Sequence, residues 1–447
     1  MSYRNRRTTR LRIAAIAGLA IFPLLAGCVE GSTPESSPES SPESSEAGEI
    51  TVWMKKQQVE SQNVAFEERA TEFEKETGVK VTLEIIAYEN FFPKWAAAIE
   101  SGAVPDVSFF GYQEVGQFYA QGVLEPVTDV VDAVESSAGP INERLTGAVT
   151  FEGDQYGVPF RSEAQAMYYR TDLFEAAGIT DVPVTWEDYR KAAVKLTDAS
   201  AGVYGAGIGF SQNNSDAEFF ARTVAWSFGG SLDASPEDYV GLEGATQNSI
   251  EFVQSIFNDG SVPADALSWD DAGNNRSYIA GQSATVFNTG SILATIQAEN
   301  PDLYANTGIA PFPAGPDGPA SPGIMNTLGI FKGASNVDGA KAFIEFVLDK
   351  DWYDSWTSET APQTIPVFDD LRSTGVWTES NNAAYAASVD SATFLGSPTV
   401  YNPAAGTVYN NRSVNKMYQE ILTNNVSADA ALATLREGVD AAYASQK

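Results

Sequence analysis

Two absences limit the chemistry open to this 447-residue chain: it has no histidine, and Cys28 is its only cysteine. Ser-His-Asp and Cys-His nucleophilic catalysis, zinc sites built on His or Cys, and intramolecular disulfides are therefore excluded. Carboxylates remain, and two of them suffice for glycoside hydrolysis. The neighbouring pairs Asp270-Asp271 and Asp369-Asp370 direct their side chains apart unless the backbone turns, so they read as solvated charge. No run of oxygen ligands has calcium-loop spacing and no GxxxxGK[ST] loop occurs. Gly205-Ala206-Gly207-Ile208-Gly209 lacks the dinucleotide spacing. Recognition chemistry, by contrast, is plentiful: eight Trp, eighteen Tyr and twenty-four Phe can lie flat against apolar faces, while amides, carboxylates and Arg pair with hydroxyls. By type and place, Trp226 ahead of Phe228-Gly229-Gly230 is either a ligand contact or packing behind that loop. Asn274 and Arg276, in a polar loop before a helix, either reach ligand hydroxyls or face solvent. Asn288 ends the strand Val286-Phe287, and Trp352, Trp356 and Trp377 read as packing.

The elements that must carry these residues need more than one core, and 447 residues with 43% hydrophobic side chains can bury two. The net charge of −32 argues against nucleic acid and anionic lipid as partners, since both are polyanions. Arg4, Arg6, Arg7, Arg10 and Arg12 precede Cys28 with no acid among them, so a chain starting at Cys28 carries −37. A soluble or salt-adapted surface explains that charge without a cationic ligand.

Residues 1–27 read as a signal peptide: a basic start, then the apolar stretch Ile13–Ala26, too short for a comfortable membrane span. It ends in Leu25-Ala26-Gly27-Cys28, which resembles the bacterial lipobox and implies lipidation of Cys28. The alternative is an ordinary signal with a coincidental cysteine. Arg6-Arg7 lacks the flanks of a twin-arginine signal. Residues 28–49 follow as an acidic Ser/Pro/Glu tether with Pro-Glu-Ser-Ser repeating from Pro34, Pro38 and Pro42. With nothing apolar to order it, this segment is predicted to be disordered.

Ile50-Thr51-Val52-Trp53-Met54 predicts a strand, and Phe66, Ala70 and Phe73 predict a helix stopping at Gly78. Val79, Val81, Leu83 and Ile85 alternate with polar residues as a half-buried strand; Phe91–Ser101 is a helix and Pro105–Phe110 a third strand. Strand-helix-strand-helix-strand implies parallel pairing, with ligands beyond the carboxyl ends of the strands, at 53–57, 88–90 and 110–113. Further on, Ala245–Asn258 and Asp338–Leu348 are helical, Thr285-Val286-Phe287 is a strand, and a last helix starts at Ser427. The fold expected is α/β with two lobes.

Taken in order, these blocks resemble the family-1 extracellular solute-binding proteins. The resemblance rests on Glu49–Trp53, on Asp106–Phe110 followed by Phe118–Pro126, and on Tyr156–Phe160 running into Met167–Arg170 with Leu173-Phe174. Phe228-Gly229-Gly230, Ile279–Ala284 and Gly339–Phe346 complete it. It implies a two-lobed, periplasmic-binding-protein-like fold (type II). The first lobe would be 50–160, completed near 310–350, and the second 161–309, completed by part of 351–447. It also implies a carbohydrate ligand, an oligosaccharide by preference, held between the lobes and handed to the permease subunits of an ABC importer, with no cofactor or metal, no nucleic acid and no catalysis. The chain would be held at the outer face of the cell membrane through Cys28.

Carried over residue by residue, the resemblance places Trp53, Lys56 and Gln57 at the first strand end and Phe110, Tyr112, Gln113 and Glu114 at the third. Glu163 becomes the carboxylate at the lobe crossing, Asn326 lies on a strand entering the hinge, and Tyr409 stands near the expected C-terminal aromatic. Thr289-Gly290-Ser291 departs from the family's Gly-Pro-Trp, which leaves malto-oligosaccharide specificity open. Two other readings stand beside this one: a surface-anchored glycoside hydrolase, and the same scaffold carrying a polyamine or other cation.

Overall fold

A computed structural model describes residues 48–446 apart from 58–59, 88–89, 213 and 399–400. The signal segment, Cys28, the tether to residue 47 and Tyr88 lie outside the described residues. Ten strands are formed among the described residues: β1 (Glu49–Lys55), β2 (Lys80–Ile86), β3 (Val107–Gly111), β4 (Thr150–Phe151), β5 (Asp154–Gln155), β6 (Val158–Glu163), β7 (Gln165–Arg170), β8 (Thr285–Thr289), β9 (Thr307–Ala310) and β10 (Ile324–Gly329). They make a five-stranded sheet in the order β2-β1-β3-β10-β6, a three-stranded sheet in the order β8-β7-β9, and the small β4-β5 hairpin.

β1 runs parallel to β2 and β3, as the alternation of strands and helices demands. β10 arrives from far along the chain and inserts antiparallel between β3 and β6, with Asn326 opposite Arg161 and Ile324 opposite Glu163. The β10–β6 register slips between Asn326 and Thr327, next to Pro159, a residue with no N–H to give a ladder. In the second sheet all pairs are antiparallel, with Gln165 opposite Thr289 and Met167 opposite both Phe287 and Ala310. β6 keeps Arg161–Glu163 in the first sheet, and the chain enters the second at Gln165.

Helices pack on both sheets. On the first, the helix Glu60–Thr77 buries Phe66, Ala70 and Phe73, and Phe73 meets Phe343 of the helix Val337–Val347 edge-on at 5.2 Å. It ends at Gly78, whose φ of +77° suits a residue without a Cβ. On the second, Trp186 packs against Phe287 of β8 and Phe220 of the helix Ser215–Ser227, and its indole N–H donates to Ser227 Oγ at 2.8 Å. The C-terminal helices Ser413–Thr423 and Ala428–Ala444 complete this second core through Val414, Tyr418, Leu432 and Val439. The Phe228-Gly229-Gly230 turn is sterically dictated: a Cβ on Gly230 would stand 2.6 Å from the Thr246 backbone nitrogen.

Candidate ligand site at the junction of the two sheets

Only Ala164 separates Glu163, the last residue of the first sheet, from Gln165, the first of the second. Polar side chains gather there around two charged residues, one buried and one half-buried. Arg161 is 1% exposed and donates from each of its three guanidinium nitrogens. Nε donates to Asn326 Oδ1 at 2.9 Å, one terminal nitrogen to Gln57 Oε1 at 2.5 Å, and the other to Glu163 Oε1 at 2.5 Å. Three residues from three segments of chain are thereby locked to one cation. The i, i+2 spacing puts Arg161 and Glu163 on one face of β6, and the register sets Asn326 beside them.

The second hub is Asp216, in the first turn of the helix Ser215–Ser227. Its Oδ1 accepts from Gln165 Nε2 at 2.7 Å, and its Oδ2 accepts from Asn274 Nδ2 and Asn288 Nδ2, each at 3.0 Å. Burial pushes this carboxyl well above the usual range, with Asp271 adding to the rise and the amide of Asn274 opposing it. Glu163 also acts on it electrostatically, so the two hubs share one field. Lys55, at the end of β1, lies in that field too: burial lowers its pKa, while Glu163, Asp271 and Asp216 raise it and Arg161 lowers it. A cavity of about 320 Å³ opens beside the junction, lined by Gln165, Ala164, Ala166, Ala310, Phe312 and Tyr385 among others.

Gln57, Glu163, Asn274, Asn288 and Asn326 are thus brought together at this junction. Arg161, Asp216, Gln165 and Lys55 join them without having been singled out. Strand periodicity could have found Arg161 once Glu163 was placed; nothing local marks Asp216, whose role depends on contacts 51 to 72 residues away.

The structure sends the other predicted residues elsewhere. Phe110 is a core ring and not an open stacking platform: it is fully buried among Trp95, Phe118 and Phe331 because the helix Phe91–Ser101 covers that face of β3. Trp53 faces the same helix, donates to Glu84 Oε1 at 3.1 Å and lies under the Lys94 ammonium, 4.3 Å from the ring centre. Lys56 is exposed, and Arg276 is exposed and paired with Asp270 at 2.6 Å. Trp226 is buried, and its indole nitrogen has no hydrogen-bond partner among the described residues.

Tyr112, Gln113, Glu114 and Tyr409 form a separate buried group. The Tyr112 hydroxyl accepts from Leu395 N at 3.3 Å, the Gln113 carbonyl accepts from Tyr401 Oη at 3.0 Å, and Glu114 Oε2 accepts from Gly111 N at 2.7 Å. Burial pushes Glu114 up to about 7 against the opposing charge of Arg412, which also lies over the Tyr409 ring. Beyond them Arg222, fully buried, bridges Glu218 at 2.8 Å and Asp233 at 2.6 Å. Of the carboxylates read as solvated, Asp271 is exposed yet accepts from Ser215 N at 2.8 Å, capping the helix that carries Asp216.

Among the described residues no group of three or more His, Cys, Asp or Glu could hold a metal ion, and no helix is long and apolar enough to cross a membrane. Comparison with known proteins agrees with this architecture. A maltooligosaccharide ABC transporter solute-binding lipoprotein of Streptococcus pneumoniae (strain ATCC BAA-255 / R6) is 28% identical over 319 residues, 68% of this chain and 69% of that one. The diacetylchitobiose binding protein DasA of Streptomyces coelicolor is 25% identical over 438 residues, 94% of this chain and 96% of its own. A solved ABC transporter solute-binding protein of Thermotoga lettingae with bound alpha-D-tagatose superposes with a TM-score of 0.77 at 20% identity, covering 88% of this chain and 99% of that one, which shows a shared two-lobed fold. The family model of the bacterial extracellular solute-binding proteins matches residues 58–354, and this chain belongs to that family.

Proposed function

We propose that this protein is the extracellular solute-binding component of an ABC importer, that its ligand is a carbohydrate, and that it binds without altering it. The observation that carries this reading is the junction itself: Arg161 and Asp216 orient six amide or carboxylate side chains between the two sheets. Side chains held this firmly lose little entropy when a ligand arrives. Relatives named for maltooligosaccharide and diacetylchitobiose support the ligand class. Local charge supports a neutral ligand over a polyamine. The half-buried Lys55 and the buried Arg161 face the buried Glu163 and the half-buried Asp216, so a polycation would meet repulsion as well as attraction.

In this reading 50–160, with about 310–350, and 161–309, with part of 351–447, act as two halves that close on the sugar. The ligand's greater affinity for the closed form shifts the population toward it, and the closed form meets the permease. Lipidated Cys28 and the 28–49 tether would hold the protein at the outer face of the membrane.

A thermal-shift screen of the mature protein against mono- and oligosaccharides tests the function, because a ligand that binds only the native state raises Tm. At least one sugar is expected to raise it, intact after incubation, and Glu163→Gln to weaken that sugar at least tenfold. Released products, or a shift with spermidine and none with any sugar, would refute the reading.

A further inference from the structure

The hydrogen-bond accounts of the amides around Asp216 are unequal. Asn274 gives its Nδ2 hydrogens to Asp216 Oδ2 and to the Phe287 carbonyl at 3.2 Å. Asn288 gives its own to Asp216 Oδ2 and to Asn275 Oδ1. An amide nitrogen carries two hydrogens, so neither asparagine has one left for a ligand. Gln165 gives one to Asp216 Oδ1, while its buried Oε1 has no hydrogen-bond partner among the described residues. Gln165 is only 4% exposed, and it lines the cavity beside the junction. Across the junction, Arg161 spends three of its five N–H donors on Asn326, Gln57 and Glu163.

We propose that Asp216 is a specificity-determining positioning residue. By taking amide hydrogens from both asparagines and one from Gln165, it leaves Gln165 Oε1 as the open acceptor at the cavity, and the ligand edge laid against it must carry a free hydroxyl donor. The inference rests on the carbohydrate reading and narrows it to sugars whose hydroxyls on that edge are unsubstituted. A deoxy, fluoro or methylated position there leaves a buried acceptor unpaired, and an unmade buried hydrogen bond costs more than a made one contributes.

The test is calorimetric titration of the mature protein with maltotriose, laminaribiose and N,N′-diacetylchitobiose, followed by the mono-deoxyfluoro derivatives of the tightest binder, since fluorine cannot donate. In the wild type at least one fluorinated position is expected to lose tenfold or more. In Asp216→Asn, whose own amide must turn a donor toward its neighbours, that penalty shrinks toward one while the parent sugar binds at least tenfold less tightly; Asp216→Glu recovers part of the loss. A wild type that binds a parent sugar but tolerates fluorine at every position overturns the inference and leaves the carbohydrate reading standing, whether or not the variants fold. Equal fluorine penalties in wild type and Asp216→Asn overturn it as well. Failure of all three sugars to bind the wild type removes the carbohydrate reading for these ligands, and the inference with it.

Discussion

At the scale of single residues, the titration of Glu114 has a measurable consequence away from the ligand junction. Burial raises its carboxyl from the usual value near 4.5 to about 7, so the folded state holds that proton more tightly than the unfolded chain does. The stability this contributes is fully present below about pH 4.5 and is lost as pH rises through about 7. Glu114→Gln keeps an acceptor for the Gly111 N–H and cannot titrate. The variant should therefore gain on the wild type as pH rises from 5 to 8, read as a growing difference in urea midpoint. A difference that stays constant across that range would place the titration elsewhere. Arg222 offers the complementary lesson: fully buried between Glu218 and Asp233, it makes removal of either acid far costlier than loss of a surface pair, because an uncompensated charge would remain inside.

At the scale of elements, local signals had local effects. Ser427 was legible as a helix start, and its side chain accepts from Ala430 N at 3.3 Å at the head of the helix Ala428–Ala444. Ser427→Ala should cost about 1 kcal/mol in chemical denaturation with ligand affinity untouched. A change below a few tenths would mean that packing of Leu432, Leu435 and Val439 alone sets that end. The helix at Phe91–Ser101 and the strand alternation of β2 were readable for the same reason: period and caps are written in neighbouring residues. Which face of β3 a helix would cover was not written there. Phe110 and Trp53 therefore looked like platforms for a ring-stacking ligand and turned out to lie under that helix.

At the scale of the whole molecule, the two sheets meet where the chain passes from Glu163 to Gln165 and again between β9 and β10, so a hinge at these crossings is the natural mode of motion. Solution scattering should register a smaller radius of gyration when the tightest sugar saturates the protein. An identical profile with and without a calorimetrically confirmed ligand would count against closure.

The sequence by itself determined the α/β class, the two-core size and the exclusion of Ser-His-Asp and Cys-His catalysis, and it pointed to five of the polar side chains that the structure brings to the junction: Gln57, Glu163, Asn274, Asn288 and Asn326. The first three follow from composition and period, and the side chains from the family resemblance or from residue type and place. Only the tertiary structure decided that Arg161 and Asp216 are the hubs those five answer to. The reason is physical: a buried charge is tolerable only where its partners converge, and these partners come from strands and helices up to 165 residues distant along the chain. No window of neighbouring residues contains that information.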